Sequence, residues 1–186
     1  MESYELNACV ERLNTLKKDV QRTQKKGLPF IFASVVIWTL VLLGRIAAGD
    51  LRTANLITFI CCCLLIPLAF LFSRLLKADI FRKTGNPVNN LVILSTLNQL
   101  LYLLIAMWAF DRQPDAMLMI YAMIFGAHLL PYSWIYDSKA YLILSVAETV
   151  GTLVIAHLLG SIAAAAFILC GEIVLSILLY QECKTL

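Results

Sequence analysis

Six uninterrupted apolar runs, each of 20 or 21 residues, constrain this chain more than any other feature of its sequence. A helix of about 20 residues spans the roughly 30 Å hydrocarbon core of a bilayer. Backbone groups in lipid must be hydrogen-bonded in helices or closed barrels, and runs of this length exclude barrel strands. The composition agrees, because 61% of the 186 residues are hydrophobic and only 15% are charged. We therefore predict an all-α, polytopic membrane helical bundle with six transmembrane helices, at about 29-48, 54-73, 91-110, 116-136, 140-160 and 161-180.

Residues 1-27 precede the first run and are predicted to form an amphipathic basic helix on the cytoplasmic side, with 28-186 as the transmembrane domain. Leu6, Val10, Leu13, Leu16 and Val20 recur at helical spacing and share one face, opposite the charged residues. Such a helix can lie on the inner leaflet, where anionic head groups attract its basic end, or pair with another helix in a short coiled coil. Both interpretations stay open.

The basic residues are divided unequally between the two sides of the predicted bundle. All 15 lysines and arginines except Arg45, Arg52 and Arg112 fall on the side of the N-terminal segment. The positive-inside rule then places both termini in the cytoplasm. Because this bias explains most of the net charge of +3, nucleic-acid binding is not expected. Arg45 lies one turn from the outer end of its span, and its side chain is expected to extend to the interface.

Individual residues modify this pattern of spans. Pro67 lies inside the second run, where it removes a backbone hydrogen bond and should bend the helix. Gly160-Ser161 separates the last two runs and is the predicted turn between them. Glu148 precedes Gly160 by twelve residues and Glu172 follows it by twelve, so both carboxyls should lie roughly 18 Å below that turn. At that depth an ionisable group needs a partner, a proton or a water-filled cavity.

Further polar side chains should lie at the level of the two glutamates. Counted from the same end of each span, Asn98, Gln99 and His128 fall at this depth. Tyrosines on the same helical faces can line an amphipathic cavity beside them. The candidate ligand- or proton-binding residues are Glu148, Glu172, His128, Asn98, Gln99, Tyr102, Tyr121 and Tyr132. No cofactor and no metal site are predicted.

These residues fit several kinds of role. The glutamates can simply hold the bundle together through interhelical hydrogen bonds. They can also form a site that binds or transports a small solute, with proton coupling, since neighbouring buried carboxyls and a histidine can exchange protons near neutral pH. A third hypothesis is an intramembrane hydrolase acting on a lipid-like substrate. The absence of HExxH, GxSxG and CxxC motifs argues against an enzyme without excluding one. A fourth is a noncatalytic interaction or sensor protein built around the N-terminal helix. Membrane lipids are the expected partners, and homo-oligomerisation is left open.

Two segments carry a resemblance to a known family. Residues 22–34 (RTQKKGLPFIFAS) and 127–141 (AHLLPYSWIYDSKAY) resemble an uncharacterised family of small bacterial multi-pass membrane proteins. The resemblance implies a bacterial inner-membrane protein of unknown role. It supplies no catalytic residues to carry over.

Overall fold

The computed structural model describes residues 2–80 and 85–186, and this part of the chain folds into helices without a strand. The predicted all-α fold is therefore confirmed. A 3-10 turn, Lys25–Gly27, joins the first helix to the second. The helices are α1 (Glu2–Gln24), α2 (Leu28–Ala47), α3 (Leu51–Cys62), α4 (Leu65–Leu76), α5 (Pro87–Arg112), α6 (Met117–His128), α7 (Leu130–Ile135) and α8 (Lys139–Lys184).

One end of the bundle, which we call the α1 end, joins the end of α1 to the termini of α4, α5 and α8. The carbonyl of Thr23 in α1 accepts a hydrogen bond from the backbone N–H of Asp79, which follows α4. The Asn86 side chain caps the start of α5 and also donates to a carbonyl of α1. Lys26 forms a 2.6 Å ion pair with Glu182 near the end of α8. The end of α1 and the turn that follows it thus fix the ends of three other helices.

The opposite end, which we call the hairpin end, is held together around Arg45. Its guanidinium donates two hydrogen bonds, of 2.9 and 3.1 Å, to the side-chain oxygen of Asn55 in α3. The Asn55 amide in turn donates to the carbonyl of Pro114, which precedes α6. Arg45 is only 6% exposed. The acceptor on α3 thus keeps the guanidinium inside the protein, and its position at the membrane interface stays a prediction.

α8 folds back on itself at Gly160, whose φ of 84° is in the region that favours glycine. A Cβ added to Gly151 would collide with the Phe167 ring, and one added to Gly171 would collide with Glu148. In a continuous helix, residues 16 or more apart would be separated by about 24 Å or more. The halves of α8 therefore run antiparallel, which confirms the predicted hairpin, and the chain passes six times between the two ends.

Two of these passages are interrupted near a proline. α3 and α4 meet at an angle of 41° at Cys63 and Leu64, ahead of Pro67. Proline has no N–H to donate to the carbonyl four residues earlier, here Cys63, and its ring crowds that carbonyl. The predicted bend is thus confirmed and falls one turn before the proline. Pro131 likewise follows the break at Leu129 that separates α6 from α7.

The exposed side chains and the lengths of the helices indicate that this bundle lies in a membrane. Four helical segments of the described chain are long and apolar enough to span a membrane, or five if α3 and α4 form one bent span. The 46-residue α8 counts once among them, although it is folded into two. Large apolar side chains such as Leu94, Leu101 and Leu104 on α5 are more than half exposed. This is a helical membrane protein, and the coincidence of all six passages with the bilayer stays a prediction.

The predicted N-terminal helix is present, but only its last turns pack against the bundle. Val20 is buried, whereas Leu6 and Val10 are 65% and 48% exposed. The first turns of α1 therefore leave an apolar stripe uncovered, and its interfacial or coiled-coil role stays a prediction. Arg82 and Lys83, which add to the predicted charge bias, lie outside the described residues.

Candidate functional site: a buried glutamate pair beside a small cavity

Two glycines make room for the first glutamate. Gly126 of α6 lies so close that an added Cβ would be 3.0 Å from the Cβ of Glu148 and 2.9 Å from the backbone nitrogen of Thr149. Gly171, in the other half of α8, lies against the Glu148 carboxyl group. Glu148 is consequently 0% exposed although it carries a carboxyl group. Small residues thus let α6 and both halves of α8 approach closely around this side chain.

The second glutamate, Glu172, is also 0% exposed and lies beside the first, since it follows Gly171, which lies against the Glu148 carboxyl group. The hydroxyl of Ser34 on α2 donates a hydrogen bond to Glu172 Oε2. The glutamates are therefore at one level of the bundle and share one interior, as the sequence predicts from their equal distances to Gly160.

The centre around these two side chains holds polar atoms that have no partner. Among the described residues, the buried side-chain nitrogen and oxygen atoms without a hydrogen bond are Trp38 Nε1, both carboxyl oxygens of Glu148, Thr152 Oγ1 and Glu172 Oε1. Thr152 lies one turn after Glu148, and Trp38 one turn after Ser34. Unpaired buried polar groups are uncommon in folded proteins, and they are concentrated here in one place.

A cavity of about 50 Å³ lies between α2, α5, α6 and α7, between the glutamates and the α1 end. Most of its lining is apolar, and its polar groups come from Ser34, Thr96, Gln99, His128, Tyr132, Tyr136 and Tyr141. Thr96 and Tyr132 join their hydroxyls in a 2.8 Å hydrogen bond. Neither glutamate lines the cavity, but Ser34 does, and the same hydroxyl binds Glu172. One hydrogen bond therefore separates the cavity from the carboxyl pair.

Aromatic rings close the cavity toward the α1 end. Tyr136 and Tyr141 pack on Gly27, where an added Cβ would be 3.0 Å from the Tyr141 hydroxyl and 3.1 Å from the Tyr136 ring. Tyr132 stacks on Tyr136 with ring centroids 5.8 Å apart. The Tyr136 hydroxyl donates to Gln24 of α1, and the Tyr141 hydroxyl donates to the Lys26 carbonyl. The closure is thus fastened to the turn between α1 and α2.

His128 lines both this cavity and an open groove on the outside of the bundle. The groove is lined by Asn98, Tyr102 and Leu130 together with His128 itself. Asn98 and Tyr102 are exposed. The single polar layer that the sequence predicts is therefore divided: Gln99, His128 and Tyr132 line the inner cavity, whereas Asn98 and Tyr102 lie on the outer surface of α5.

Tyr121 lies apart from the cavity, among aromatic residues closer to the hairpin end. Its ring packs 5.5 Å from that of Trp38, and its hydroxyl accepts a 2.9 Å hydrogen bond from the Cys62 thiol. His128 has no hydrogen bond or ion pair with either glutamate in the described part of the chain, and its Nδ1 pairs with the Phe125 carbonyl. Within residues 2–80 and 85–186, no three His, Cys, Asp or Glu side chains converge to hold a metal.

The sequence interpretation missed Thr96 and the two glycines beside Glu148. Thr96 has a weak signal, because it adjoins the polar positions Ser95, Asn98 and Gln99 on α5. Gly126 and Gly171 have none, since a glycine in an apolar run does not indicate which side chain fills the space it leaves.

The fold and this centre define a class, a helical membrane protein with an enclosed pair of carboxyl groups next to a small, mostly apolar cavity that contains several polar groups. The chain belongs to DUF7010, a family of unknown function whose pattern matches residues 13–182. The resemblance to an uncharacterised family is confirmed, while the bacterial source and the inner membrane stay predictions. No curated protein and no solved structure is significantly similar to the chain.

Proposed function

We propose that this protein binds a small polar solute in the cavity beside Ser34 and moves it across the membrane together with protons held by Glu148 and Glu172. The observation that carries the proposal is the set of unpaired carboxyl oxygens one hydrogen bond away from the cavity. A purely structural glutamate would be expected to use its oxygens for bonds between helices, because interhelical bonds are the stabilisation it can supply.

The cavity volume limits the solute. A water molecule needs about 10–15 Å³ of this kind of space, so a cavity of about 50 Å³ takes a few waters or a solute of few non-hydrogen atoms. Sites for larger organic ligands measure roughly 300–1,000 Å³. The lining of hydroxyls, a carboxamide and an imidazole offers both donors and acceptors. These groups suit a neutral or singly charged polar molecule.

Protons reach the carboxyl pair through Ser34. Two carboxyl groups in one low-dielectric interior do not ionise independently, so a proton bound by one changes the affinity of the other. A solute that binds the Ser34 hydroxyl competes with Glu172 for it. Solute binding and protonation are coupled by this competition, which is the minimal requirement for coupled transport.

The entry route proposed here is lateral. Tyr136 and Tyr141 obstruct the cavity toward the α1 end, whereas His128 lines both the cavity and the groove that contains Asn98 and Tyr102. A rotation of the His128 side chain would join the two spaces. Asn98 and Tyr102 then act as the first polar contacts of the solute, which gives these exposed residues a role at the entrance.

The hydrolase hypothesis has no comparable support. General acid–base catalysis requires the acid and the base within hydrogen-bond reach of one reacting group. No hydrogen bond connects His128 with Glu148 or Glu172 among the described residues, and neither glutamate lines the cavity. We therefore retain transport as the proposed function.

Proton flux into vesicles tests the proposal. Purified protein is reconstituted in vesicles that contain a pH-sensitive dye, and urea, glycerol and acetate are added outside in turn under an imposed pH gradient. We expect proton movement well above that of protein-free vesicles with at least one of these solutes, and its loss in Glu148→Gln and Glu172→Gln. Glu11→Gln, on the exposed part of α1, is the matched control and should keep the flux of the unaltered protein. Flux at the protein-free level with all three solutes, or full flux in both glutamate variants, would contradict transport through this site.

A further inference from the structure

The hairpin end contains a buried positive charge without a negative partner. Arg45 is only 6% exposed, and its hydrogen bonds go to a neutral carboxamide oxygen of Asn55. No carboxylate lies within 4 Å of the guanidinium in the described chain, where the ion pairs are Lys26–Glu182 and Arg112–Asp111. A buried charge is normally paired, because removing it from water has a large free-energy cost.

Arg45 lines a second cavity, of about 230 Å³, which is distinct from the one beside Ser34. The rest of its lining comes from the turn between α2 and α3, including Gly49 and Leu51, and from Ser161 and Ile162 after the α8 turn. Two helices begin at this cavity, α3 at Leu51 and the second half of α8 after Gly160. Because the Asp50 carboxylate already caps the start of α3, the guanidinium and the N-terminus of the second half of α8 are the positive groups left for an anion in this space.

One acidic residue, Asp50, also lines this cavity. Its exposed carboxylate accepts a 2.9 Å hydrogen bond from the backbone N–H of Thr53, so it caps α3. Hydrogen bonds from the Thr53 side chain and backbone, with a smaller contribution from nearby Arg52, lower the pKa of Asp50. The charge of Asp50 is thus directed toward the start of α3 and toward Arg52, and Arg45 is left to a ligand.

We propose that this cavity binds a phosphate group, held by Arg45 and the N-terminus of the second half of α8. Phosphate suits the site because it accepts paired hydrogen bonds from a guanidinium and binds readily at helix N-termini. The cavity lies at the end of the membrane-spanning helices, the level at which phospholipid head groups occur. The phosphate can come from a lipid or from solution. This site is separate from the proposed transport site and does not depend on it.

Thermal unfolding of the purified protein tests this site and separates the two sources. The melting temperature is measured in an uncharged detergent with added inorganic phosphate, with a short-chain phosphatidylglycerol, and with sodium chloride at matched ionic strength. A ligand at about 100 times its dissociation constant should raise the melting temperature by about 5–10 °C. A rise with both additives identifies free phosphate as sufficient, whereas a rise with the lipid alone identifies a head group. No rise with either one beyond that of sodium chloride overturns the proposal.

Variants determine whether the rise depends on Arg45. Arg45→Gln should lose the rise in melting temperature. Arg52→Gln, which removes an exposed arginine outside this cavity, should keep that rise. Asn55→Asp guards against an Arg45 variant that fails to fold, because the new carboxylate supplies the missing partner charge next to the guanidinium. It should fold and no longer respond to phosphate. A full response in Asn55→Asp or in Arg45→Gln, or equal loss in Arg52→Gln, overturns the proposal.

Discussion

The α1 end and the glutamate centre both bury polar side chains, but these side chains are hydrogen-bonded at the α1 end and mostly unpaired at the centre. At the α1 end, Lys26 pairs with Glu182, whose other carboxyl oxygen accepts from Ser138. Gln24 likewise uses both its amide nitrogen and its oxygen, with Asn89 and Tyr136 as partners. At the centre, three of the four carboxyl oxygens of Glu148 and Glu172 have no partner in the described chain.

This difference separates polar groups that hold the fold from polar groups that are available for function. A completed network stabilises the arrangement that completes it, because any change leaves a buried group unpaired. An incomplete one lowers stability and is retained in proteins mainly where its free hydrogen-bonding capacity is used. Replacing a glutamate by an apolar residue should therefore lower the free energy of unfolding at the α1 end and leave it nearly unchanged, or raise it, at the centre.

The largest effect is expected from Glu182→Met at the α1 end. Lys26 is 8% exposed in its side chain, and it would keep its charge without the carboxylate. We expect the free energy of unfolding to fall by about 3 kcal/mol, since one partner of a mostly buried ion pair is removed. Denaturant titration in mixed micelles, followed by tryptophan fluorescence, measures this change. The double variant Lys26→Met with Glu182→Met should recover most of the loss, and a single variant as stable as the original would remove the distinction between the two regions.

A smaller effect is expected from Tyr136→Phe in the same network. The substitution removes only the hydroxyl that donates to Gln24, and so leaves a buried carboxamide oxygen unpaired. We expect a loss of about 1.5 kcal/mol in the free energy of unfolding. Tyr180→Phe removes the same atom from a ring that is 47% exposed and should change stability by less than about 0.5 kcal/mol. Equal losses in the two variants would indicate that the Gln24 network adds nothing beyond the packing of the ring.

The smallest change in stability is expected from Glu148→Met, which makes the substitution of the first prediction at the centre. Methionine has a similar shape and leaves no unpaired oxygen in the space beside Gly126 and Gly171. The free energy of unfolding should stay within about 1 kcal/mol of the original value or rise, because a buried group without partners is removed. Proton flux in vesicles should nevertheless be lost. A large loss of stability in this variant would show that Glu148 holds the fold, and would contradict the distinction between the two regions.

Much of the fold follows from the sequence because few backbone structures satisfy their hydrogen bonds inside a bilayer. Apolar runs of membrane-spanning length must be helical, Pro67 must interrupt the hydrogen bonds before it, and Gly160 divides two runs that are each long enough to span. The equal spacing of Glu148 and Glu172 from that glycine then fixes their common level. These inferences need only the rise per residue and the rule that backbone groups in lipid are paired.

The composition of the site is less predictable, because helical spacing specifies a face but not its neighbour. Asn98 and Gln99 are adjacent in sequence and equal in depth, yet only Gln99 faces the cavity. Arg45 is at a depth from which it can reach the interface, and it turns inward because Asn55 on another helix accepts its hydrogen bonds. Rotation of one helix against another depends on packing over all its contacts, which no single run reveals.

The sequence by itself determined that this chain is a bundle of membrane-spanning helices with two acids at one depth, since hydropathy and helix geometry act locally along the chain. Only the tertiary structure decided that three carboxyl oxygens of the two acids have no hydrogen bond in the described chain and that Ser34 links the acids to a cavity. It also decided that His128 lines both this cavity and the outer groove. The reason is that hydrogen bonding and close packing between helices depend on which faces meet. Gly126, Gly171 and Ser34, on three different helices, determine which helix faces pack together as much as the glutamates do.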